Sequence, residues 1–278
     1  MKYEIIKLKD EFSFLGEEGR DPILEIYLPY NMTEMHHENR KRPCMVVCPG
    51  GGYGMCSQRE SEPIALKFLE EGFNVFVVTY SVAPNRFPAQ IREVAAVMEL
   101  IYKNADNWNC DTNKVAIIGF SAGGHLAAHY STMFDCKEVR EVFPESKSVN
   151  ASVLCYPVIS AESVSAHMGS FINLLGYNPT EQEEIDYFSC DKHVKTTTPP
   201  AFIWHTASDD CVPLKNSLLY AEALWQNKVP VELHVYPFGG HGLSTCDSQT
   251  IDDMTPIYEY NAQWVASVKK WLKLIFDL

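Results

Sequence analysis

The sequence lacks the long apolar runs that a membrane-spanning helix requires. No segment has roughly 18 consecutive apolar residues, the minimum for a helix that crosses a bilayer. Residues 1–7 alternate charged with apolar side chains, whereas a signal peptide has an uncharged apolar run there. We therefore expect no membrane partner and a cytoplasmic location.

Basic residues are scarce relative to acidic ones. The 278 residues include 23 Lys and Arg against 36 Asp and Glu, which gives a formal net charge of −13. A chain of this charge repels polyanions, so we expect no nucleic-acid partner. A neutral small molecule is the better candidate for a substrate.

Cysteine pairs at metal-site spacing are also lacking. The nine cysteines, an odd number, are scattered through apparent strands and loops. Cys44 and Cys48 have no His or Cys pair downstream at the spacing of a zinc site. We interpret all nine as reduced structural thiols, which are typical of the cytosol.

Short apolar runs alternate with amphipathic helical patterns along most of the chain. The apolar runs are residues 45–48, 75–78, 115–118, 153–156, 202–204 and 233–236, and the helical patterns are 63–71, 88–103, 214–225 and 264–275. Such runs predict a parallel sheet that is buried between helices. Residues 3–8 and 23–28 predict an antiparallel pair at its N-terminal edge. We expect an α/β fold with a mostly parallel, doubly wound sheet in a single domain, residues 1–278.

Ser121 lies between glycines where a predicted strand meets a helix-forming stretch, in the run Gly119-Phe120-Ser121-Ala122-Gly123-Gly124. A Gly-x-Ser-x-Gly pattern at such a turn is typical of the nucleophile elbow of α/β-hydrolases. The small neighbours allow the backbone to bend tightly and to project the hydroxyl. An ordinary turn with a helix N-cap has the same local pattern, so the interpretation depends on the remaining apparatus.

A serine becomes a good nucleophile only when an imidazole takes its proton and a carboxylate holds the imidazole. Asp209 and Asp210 follow the predicted strand 202–204, and His241 lies in a glycine-rich loop after the predicted strand 233–236. The chain order serine, aspartate, histidine is that of α/β-hydrolases. The distance along the chain from His205, at the end of the predicted strand, favours Asp209 as the acid, with Asp210 as the alternative.

The chain has nine histidines, and His241 is the one that combines a strand end, glycine neighbours and the expected chain order. The others are expected to be structural or solvated. We expect His36, His37, His167 and His193 in solvated loops, His125 and His129 packed on the elbow helix, His205 bracing the acidic loop and His234 within a strand.

A triple glycine, Gly50-Gly51-Gly52, directly follows the predicted strand 45–48. Attack on a carbonyl carbon places negative charge on its oxygen, and removal of one hydrogen-bond donor to that oxygen costs roughly 3 kcal/mol. We predict that the amides of Gly51, Gly52 and Ala122 form this oxyanion hole. Taken alone, a triple glycine is only a flexible loop.

Three segments together resemble the bacterial acetyl esterase and xylan esterase group of α/β-hydrolases, which is BD-FAE-like and related to hormone-sensitive-lipase-type esterases. They are residues 48–53, 57–65 and 119–127, and residues 205–213 and 239–242 extend the resemblance over roughly residues 43–276. The resemblance implies the hydrolysis of short-acyl esters, such as acetyl groups on sugars, without a cofactor or a metal. Pro49 stands where hormone-sensitive-lipase-like esterases carry histidine, so the brace of the glycine loop is left open.

Residues 158–200 interrupt the alternation of strands and helices and are rich in Ser, Glu, Asn, Thr and Pro. Hydrolases of this fold insert a lid at this position, so we predict a small lid insertion; a surface excursion is the alternative. Phe171 and Tyr177 in the insertion, with Tyr53 and Arg59 near the glycine loop, are our candidates for the substrate pocket.

Two other functions fit parts of the pattern. A prolyl-oligopeptidase-like serine peptidase shares the elbow and the chain order, and a non-catalytic hydrolase-fold protein would serve as a binding module. The first usually has a large N-terminal propeller, and the second usually lacks a triad member. The acyl chain, the alcohol portion and the presence of a homo-oligomer are left open by the sequence.

Overall fold

The computed structural model describes residues 1–15 and 21–278. Its strands are β1 Lys2–Lys7, β2 Ile23–Leu28, β3 Arg42–Cys48, β4 Asn74–Thr79, β5 Cys110–Phe120, β6 Ala151–Cys155, β7 Ala201–Thr206 and β8 Val231–Tyr236. Within these described residues they form one eight-stranded sheet in the order β1-β2-β4-β3-β5-β6-β7-β8. The strands β1 and β2 pair antiparallel, and β3 to β8 run parallel. The predicted mostly parallel sheet with an antiparallel N-terminal edge is confirmed.

Helices cover both faces of this sheet. They are α1 Leu8–Glu11, α2 Glu62–Leu69, α3 Ala89–Lys103, α4 Ala122–Met133, α5 Lys137–Arg140, α6 Met168–Leu175, α7 Gln182–Tyr187, α8 Lys215–Gln226, α9 Pro256–Asn261 and α10 Gln263–Phe276. The core on one face contains residues of α3, α4 and α8, and the core on the other contains residues of α2 and α10. Because successive strand side chains point to opposite faces, Val46 belongs to the first core and Val47 to the second.

The strand β5 is longer than its apolar signal. It begins at Cys110 rather than at residue 115, because its first residue pairs with Arg42 of β3 through the main chain. The residues between, 111–114, are polar and therefore gave no strand pattern. Main-chain pairing thus extends a strand beyond the apolar stretch that predicts it.

The segment between β6 and β7 contains α6 and α7 and adds no strand to the sheet in the described residues. It lies against the glycine loop that follows β3, since Asn173 Nδ2 donates a hydrogen bond of 2.9 Å to the carbonyl oxygen of Gly52. Separately, in the described part of the chain every helix is too short or too polar to cross a bilayer.

The parallel strands bring five loops to one edge of the sheet. The carboxyl ends of β3, β5, β6, β7 and β8 all point to that edge, and the glycine loop, Ser121, Tyr156, Asp209 and His241 follow them in turn. Ligand sites of open α/β sheets lie in the crevice outside these strand ends. The chemistry-bearing residues are therefore placed together by the topology.

Candidate active site

Ser121 occupies a strained turn between β5 and α4. Its backbone has φ 52° and ψ −118°, which costs a residue with a side chain roughly 1–3 kcal/mol. The turn is held by hydrogen bonds from Ser121 N to Cys155 O, at 3.0 Å, and from Val158 N to Ser121 O, at 3.0 Å. A Cβ atom on Gly123 would lie 2.2 Å from Cys48 O, so the turn packs against β3 only because residue 123 is glycine.

Three side chains lie in series beside this turn. His241 Nε2 is 2.8 Å from Ser121 Oγ, and His241 Nδ1 is 2.7 Å from Asp209 Oδ2. The Asp209 side chain is fully buried, whereas Asp210 is exposed. The ring of Tyr156 packs edge-on against His241 with centroids 5.0 Å apart. This geometry lets a proton pass from the serine hydroxyl to an imidazole that a carboxylate orients.

The carboxylate of Asp209 has partners for both of its oxygens. Oδ1 accepts hydrogen bonds of 2.9 Å from the amides of Cys211 and Val212. Oδ2 faces His241 and also His205 Nε2, which is 3.2 Å away. Burial raises the pKa of Asp209, but the hydrogen bonds from His205 and His241 outweigh it and hold the pKa well below its usual range. Asp209 is therefore ionised at neutral pH.

His205 is a buried brace for the acidic loop. Its Nδ1 is 2.8 Å from Ser217 Oγ, and its Nε2 is 2.9 Å from Val212 O. A carbonyl oxygen only accepts, so Nε2 carries the proton and Nδ1 accepts from the Ser217 hydroxyl. The Nε2 proton is thereby aimed at Val212 O and at Asp209, as expected for a residue that braces this loop.

The glycine loop presents unpaired amides near the elbow. Gly51 and Gly52 have φ of 127° and 62°, and a Cβ atom on Gly51 would lie 2.2 Å from Met55 O. Gly51 O accepts from the amides of Gly54 and Met55, which closes the loop. In the described residues, the amides of Gly51, Gly52 and Ala122 donate to no protein acceptor. These three amides are available to a ligand.

Glu60 bridges two loops of the site, a role that the local sequence did not predict. It is 3% exposed, and its Oε2 accepts from Gly50 N at 2.8 Å. Its Oε1 accepts from the Tyr156 hydroxyl at 2.6 Å, and that hydroxyl in turn accepts from Ser244 N at 2.9 Å. Burial raises the pKa of Glu60 despite the hydrogen bonds from Tyr156 and Gly50, which lower it. One carboxylate thus connects the glycine loop to the loop of His241.

The carbonyl oxygen of Pro49 accepts a 2.6 Å hydrogen bond from the Tyr80 hydroxyl. Tyr80 is 2% exposed and follows β4. The brace of the glycine loop, which the sequence left open, is therefore formed by Tyr80 and Glu60.

The structure contradicts two of the four pocket candidates. Tyr53 is 1% exposed and its hydroxyl is 2.8 Å from Nδ1 of His125, and Phe171 is 0% exposed and packs edge-on against the same imidazole. Both rings are part of the core, so the prediction that they line the pocket is wrong. Burial lowers the pKa of His125 to about 4, which keeps this imidazole neutral.

The other two pocket candidates are exposed. The hydroxyl of Tyr177 donates to Glu184 on the surface of the insertion, and no contact with the triad is found for it in the described residues. Arg59 lies beside the histidine loop, because its Nη2 is 3.5 Å from the position that a Cβ atom of Gly242 would occupy. Its Nη1 donates to Thr250 O at 3.4 Å. Of the four candidates, Arg59 is the one that borders the site.

His167 was expected in a solvated loop, and this expectation is wrong. The residue is half-buried at the start of α6, and its Nδ1 is 2.8 Å from Ser170 Oγ. Its Cε1 is 3.9 Å from the position of a Cβ atom on Gly52. The insertion therefore brings a histidine to the glycine loop, which the polar local sequence does not reveal. Within residues 1–15 and 21–278, no cluster of three or more His, Cys, Asp or Glu side chains is arranged to hold a metal ion.

Comparisons with known proteins agree with this architecture. The BD-FAE family model matches residues 24–224. Endo-1,4-beta-xylanase B of Butyrivibrio fibrisolvens is 38% identical over 88% of this chain and 38% of its own length. Acetylxylan esterase of Xylanibacter ruminicola is 32% identical over 86% of this chain and 47% of its own length. The chain spans less than half the length of these two relatives.

Solved structures match along the whole chain. The acetyl ester-xyloside bifunctional hydrolase from Caldicellulosiruptor lactoaceticus has a TM-score of 0.84 and 35% identity, over 98% of this chain and 96% of that one. MGS-M1, an α/β-hydrolase from a Medee basin deep-sea metagenome library, has a TM-score of 0.78 and 31% identity, over 100% and 99% of the two chains. The fold is that of the α/β-hydrolases.

Proposed function

Because the chain belongs to the BD-FAE family of α/β-hydrolases, we propose that it is a serine esterase that removes acetyl groups from acetylated sugars such as xylo-oligosaccharides. The observation that carries the proposal is the series of contacts from Ser121 through His241 to Asp209, beside three unpaired amides. The names of an acetylxylan esterase and an acetyl ester-xyloside hydrolase among the similar proteins support this substrate class. The net charge of −13 suits an uncharged substrate.

Acylation begins at Ser121. Asp209 accepts a hydrogen bond from Nδ1–H of His241, so the lone pair of Nε2 faces the Ser121 hydroxyl. As Nε2 takes the hydroxyl proton, Oγ attacks the ester carbonyl carbon, and the amides of Gly51, Gly52 and Ala122 bind the resulting oxyanion. The bond to the alcohol then breaks, and His241 gives its proton to the departing alcohol oxygen.

Deacylation repeats these steps with water. His241 takes a proton from a water molecule, whose oxygen attacks the acyl carbon of the Ser121 ester. The second tetrahedral intermediate is stabilised by the same amides, and its collapse returns the proton from His241 to Ser121 and releases acetic acid, which ionises to acetate in solution. Ser121, His241 and the three amides thus serve both half-reactions.

The direct test of this proposal is Ser121→Ala, assayed on p-nitrophenyl acetate and on acetylated xylo-oligosaccharides. We expect kcat to fall by roughly a million-fold, because the nucleophile is removed. The matched control is Ser148→Ala, in the loop before the amino end of β6, which should retain wild-type rates. Wild-type turnover in the Ser121→Ala variant would end the proposal.

The two alternative functions are separated by two further measurements. An aminoacyl-proline amide tests the peptidase function, and we expect at most slow turnover compared with acetyl esters. A fluorophosphonate probe tests for a non-catalytic binding protein, since it labels only an activated serine. We expect labelling of the wild type and its loss in Ser121→Ala.

We also propose that residues 158–200 form a lid within a single domain, residues 1–278, and that the protein acts in the cytoplasm. The hydrogen bond from Asn173 to Gly52 supports a cover over the glycine loop. Cys44, Cys48, Cys110 and Cys155 are among the free thiols of the chain, as is typical of a reducing compartment. Substrate-dependent protection of this segment from limited proteolysis would test the lid.

A further inference from the structure

The insertion places a histidine and a serine over the glycine loop. His167 directly precedes α6, and Ser170 lies in its first turn. The position of a Cβ atom on Gly52 is 3.8 Å from Ser170 Oγ and 3.9 Å from His167 Cε1. The imidazole of His167 therefore borders the loop that contains the unpaired amides of Gly51 and Gly52.

The hydroxyl of Ser170 decides which nitrogen of His167 carries the proton. Ser170 is 0% exposed, and in the described residues its Oγ has one hydrogen-bond partner, His167 Nδ1, at 2.8 Å. A buried hydroxyl proton without an acceptor is costly, so the hydroxyl donates and Nδ1 accepts. The imidazole proton is therefore on Nε2.

His167 is also uncharged at neutral pH. Burial lowers its pKa, and the charge that His241 can carry lowers the pKa further, whereas Asp209 raises it by a smaller amount. These interactions also show that His167 lies within electrostatic reach of the triad. A neutral Nε2–H donor suits an uncharged oxygen, such as a sugar hydroxyl or ring oxygen.

The Nε2–H group is free to bind a ligand. It makes no hydrogen bond to any residue in the described ranges, and it is not among the enclosed polar atoms that lack a partner. It is therefore open to solvent on a half-buried ring, which is the arrangement of a preformed donor at the mouth of a site.

The hydrogen-bond acceptors of an acetyl ester determine which substrate atom this donor can bind. The carbonyl oxygen is assigned to the three backbone amides, and the methyl group of the acetyl accepts no hydrogen bond. The remaining acceptors belong to the alcohol portion of the substrate. We propose that His167 is a specificity-determining residue that donates Nε2–H to a sugar oxygen near the acetylated position, with Ser170 holding the tautomer. This inference rests on the proposed esterase function and deepens it.

The test compares kcat/KM on two substrates, acetylated xylobiose and phenyl acetate, whose alcohol portion has no oxygen beyond the ester. In His167→Ala the ratio of the first to the second should fall about tenfold, the effect of one hydrogen bond. His167→Gln should restore most of the ratio, because its amide can place an N–H group near the same position. Ser170→Ala should give an intermediate loss, because the imidazole is then free to move its proton to Nδ1.

The matched control is His193→Ala, a histidine of the same insertion whose Nε2 is bonded to the main-chain oxygen of Tyr187. Its substrate ratio should equal that of the wild type. If His167→Ala lowers both substrates equally, or changes neither, the inference is overturned while the esterase function stands. If the wild type hydrolyses phenyl acetate but not the sugar ester, the sugar-binding role is overturned. If the wild type hydrolyses neither ester, the proposed function itself fails.

Discussion

Replacement of Asp209 by asparagine should disable the site while the size and shape of the side chain are kept. The amides of Cys211 and Val212 require an acceptor, so the asparagine oxygen should take the place of Oδ1. The Nδ2 group of the asparagine then replaces Oδ2, which faces His241 and His205. Because Nδ2 donates, His241 must accept at Nδ1 and carry its proton on Nε2, where it can no longer take the proton of Ser121.

The size of the expected loss in kcat follows from this change of the His241 tautomer. When the orienting aspartate of a serine triad becomes asparagine and the geometry is kept, kcat falls by roughly ten thousand-fold, or about 5.5 kcal/mol in activation free energy. We also expect a loss of about 3 kcal/mol in the free energy of unfolding, because hydrogen bonds to a buried charge are replaced by hydrogen bonds to a neutral amide. The loss of activity should therefore be larger than the loss of stability.

The assay measures kcat on p-nitrophenyl acetate together with the rate of fluorophosphonate labelling. Both depend on activation of Ser121, so both should fall in parallel in the Asp209→Asn variant. The control is Asp210→Asn, at the exposed neighbour, which should stay within about twofold of the wild type, as surface substitutions usually do. An Asp209→Asn variant within tenfold of the wild type, in a protein whose thermal unfolding remains cooperative, would refute the reasoning. A larger loss in Asp210→Asn would move the role to that residue.

Two further predictions concern buried acids. Tyr156→Phe leaves Glu60 Oε1 and Ser244 N without their partner. We therefore expect a loss of about 2 kcal/mol in the free energy of unfolding, measured in urea, and a lower kcat with little change in KM. If neither the unfolding free energy nor kcat changes, Tyr156 does not bridge the two loops. Burial raises the pKa of Glu93 from 4.5 to about 7, despite hydrogen bonds from Ser81. The folded state therefore keeps a proton that the unfolded chain loses, and stability falls as the pH rises between these values, by up to about 3 kcal/mol from this group. In Glu93→Gln this part of the pH dependence should vanish. If the free energy of unfolding falls equally steeply in both proteins between pH 4.5 and 7, the prediction is wrong.

Local patterns in the sequence were enough for the order of the strands and for the helices α2, α3, α4, α8 and α10, and they singled out the residues that we propose for the site. Apolar runs such as residues 115–118 mark buried strands because both faces of the sheet are covered, and this signal needs only neighbouring residues. The glycines around Ser121 and beside His241 are likewise local signals, because they indicate which backbone conformations a single turn can adopt. The predicted acid, Asp209, differs from Asp210 by one position, and its turn directs its side chain to His241.

The tertiary structure alone decided which side chains face the crevice. Tyr53 and Phe171 are aromatic residues of the type that lines substrate pockets, yet both pack against the imidazole of His125. The local sequence assigned Glu60 no bridging role and placed His167 in a solvated loop, yet Glu60 connects two loops and His167 borders Gly52. Each outcome depends on contacts between segments far apart in the chain. The direction of a side chain is set by the free energy of burying it against those partners, which local sequence does not contain.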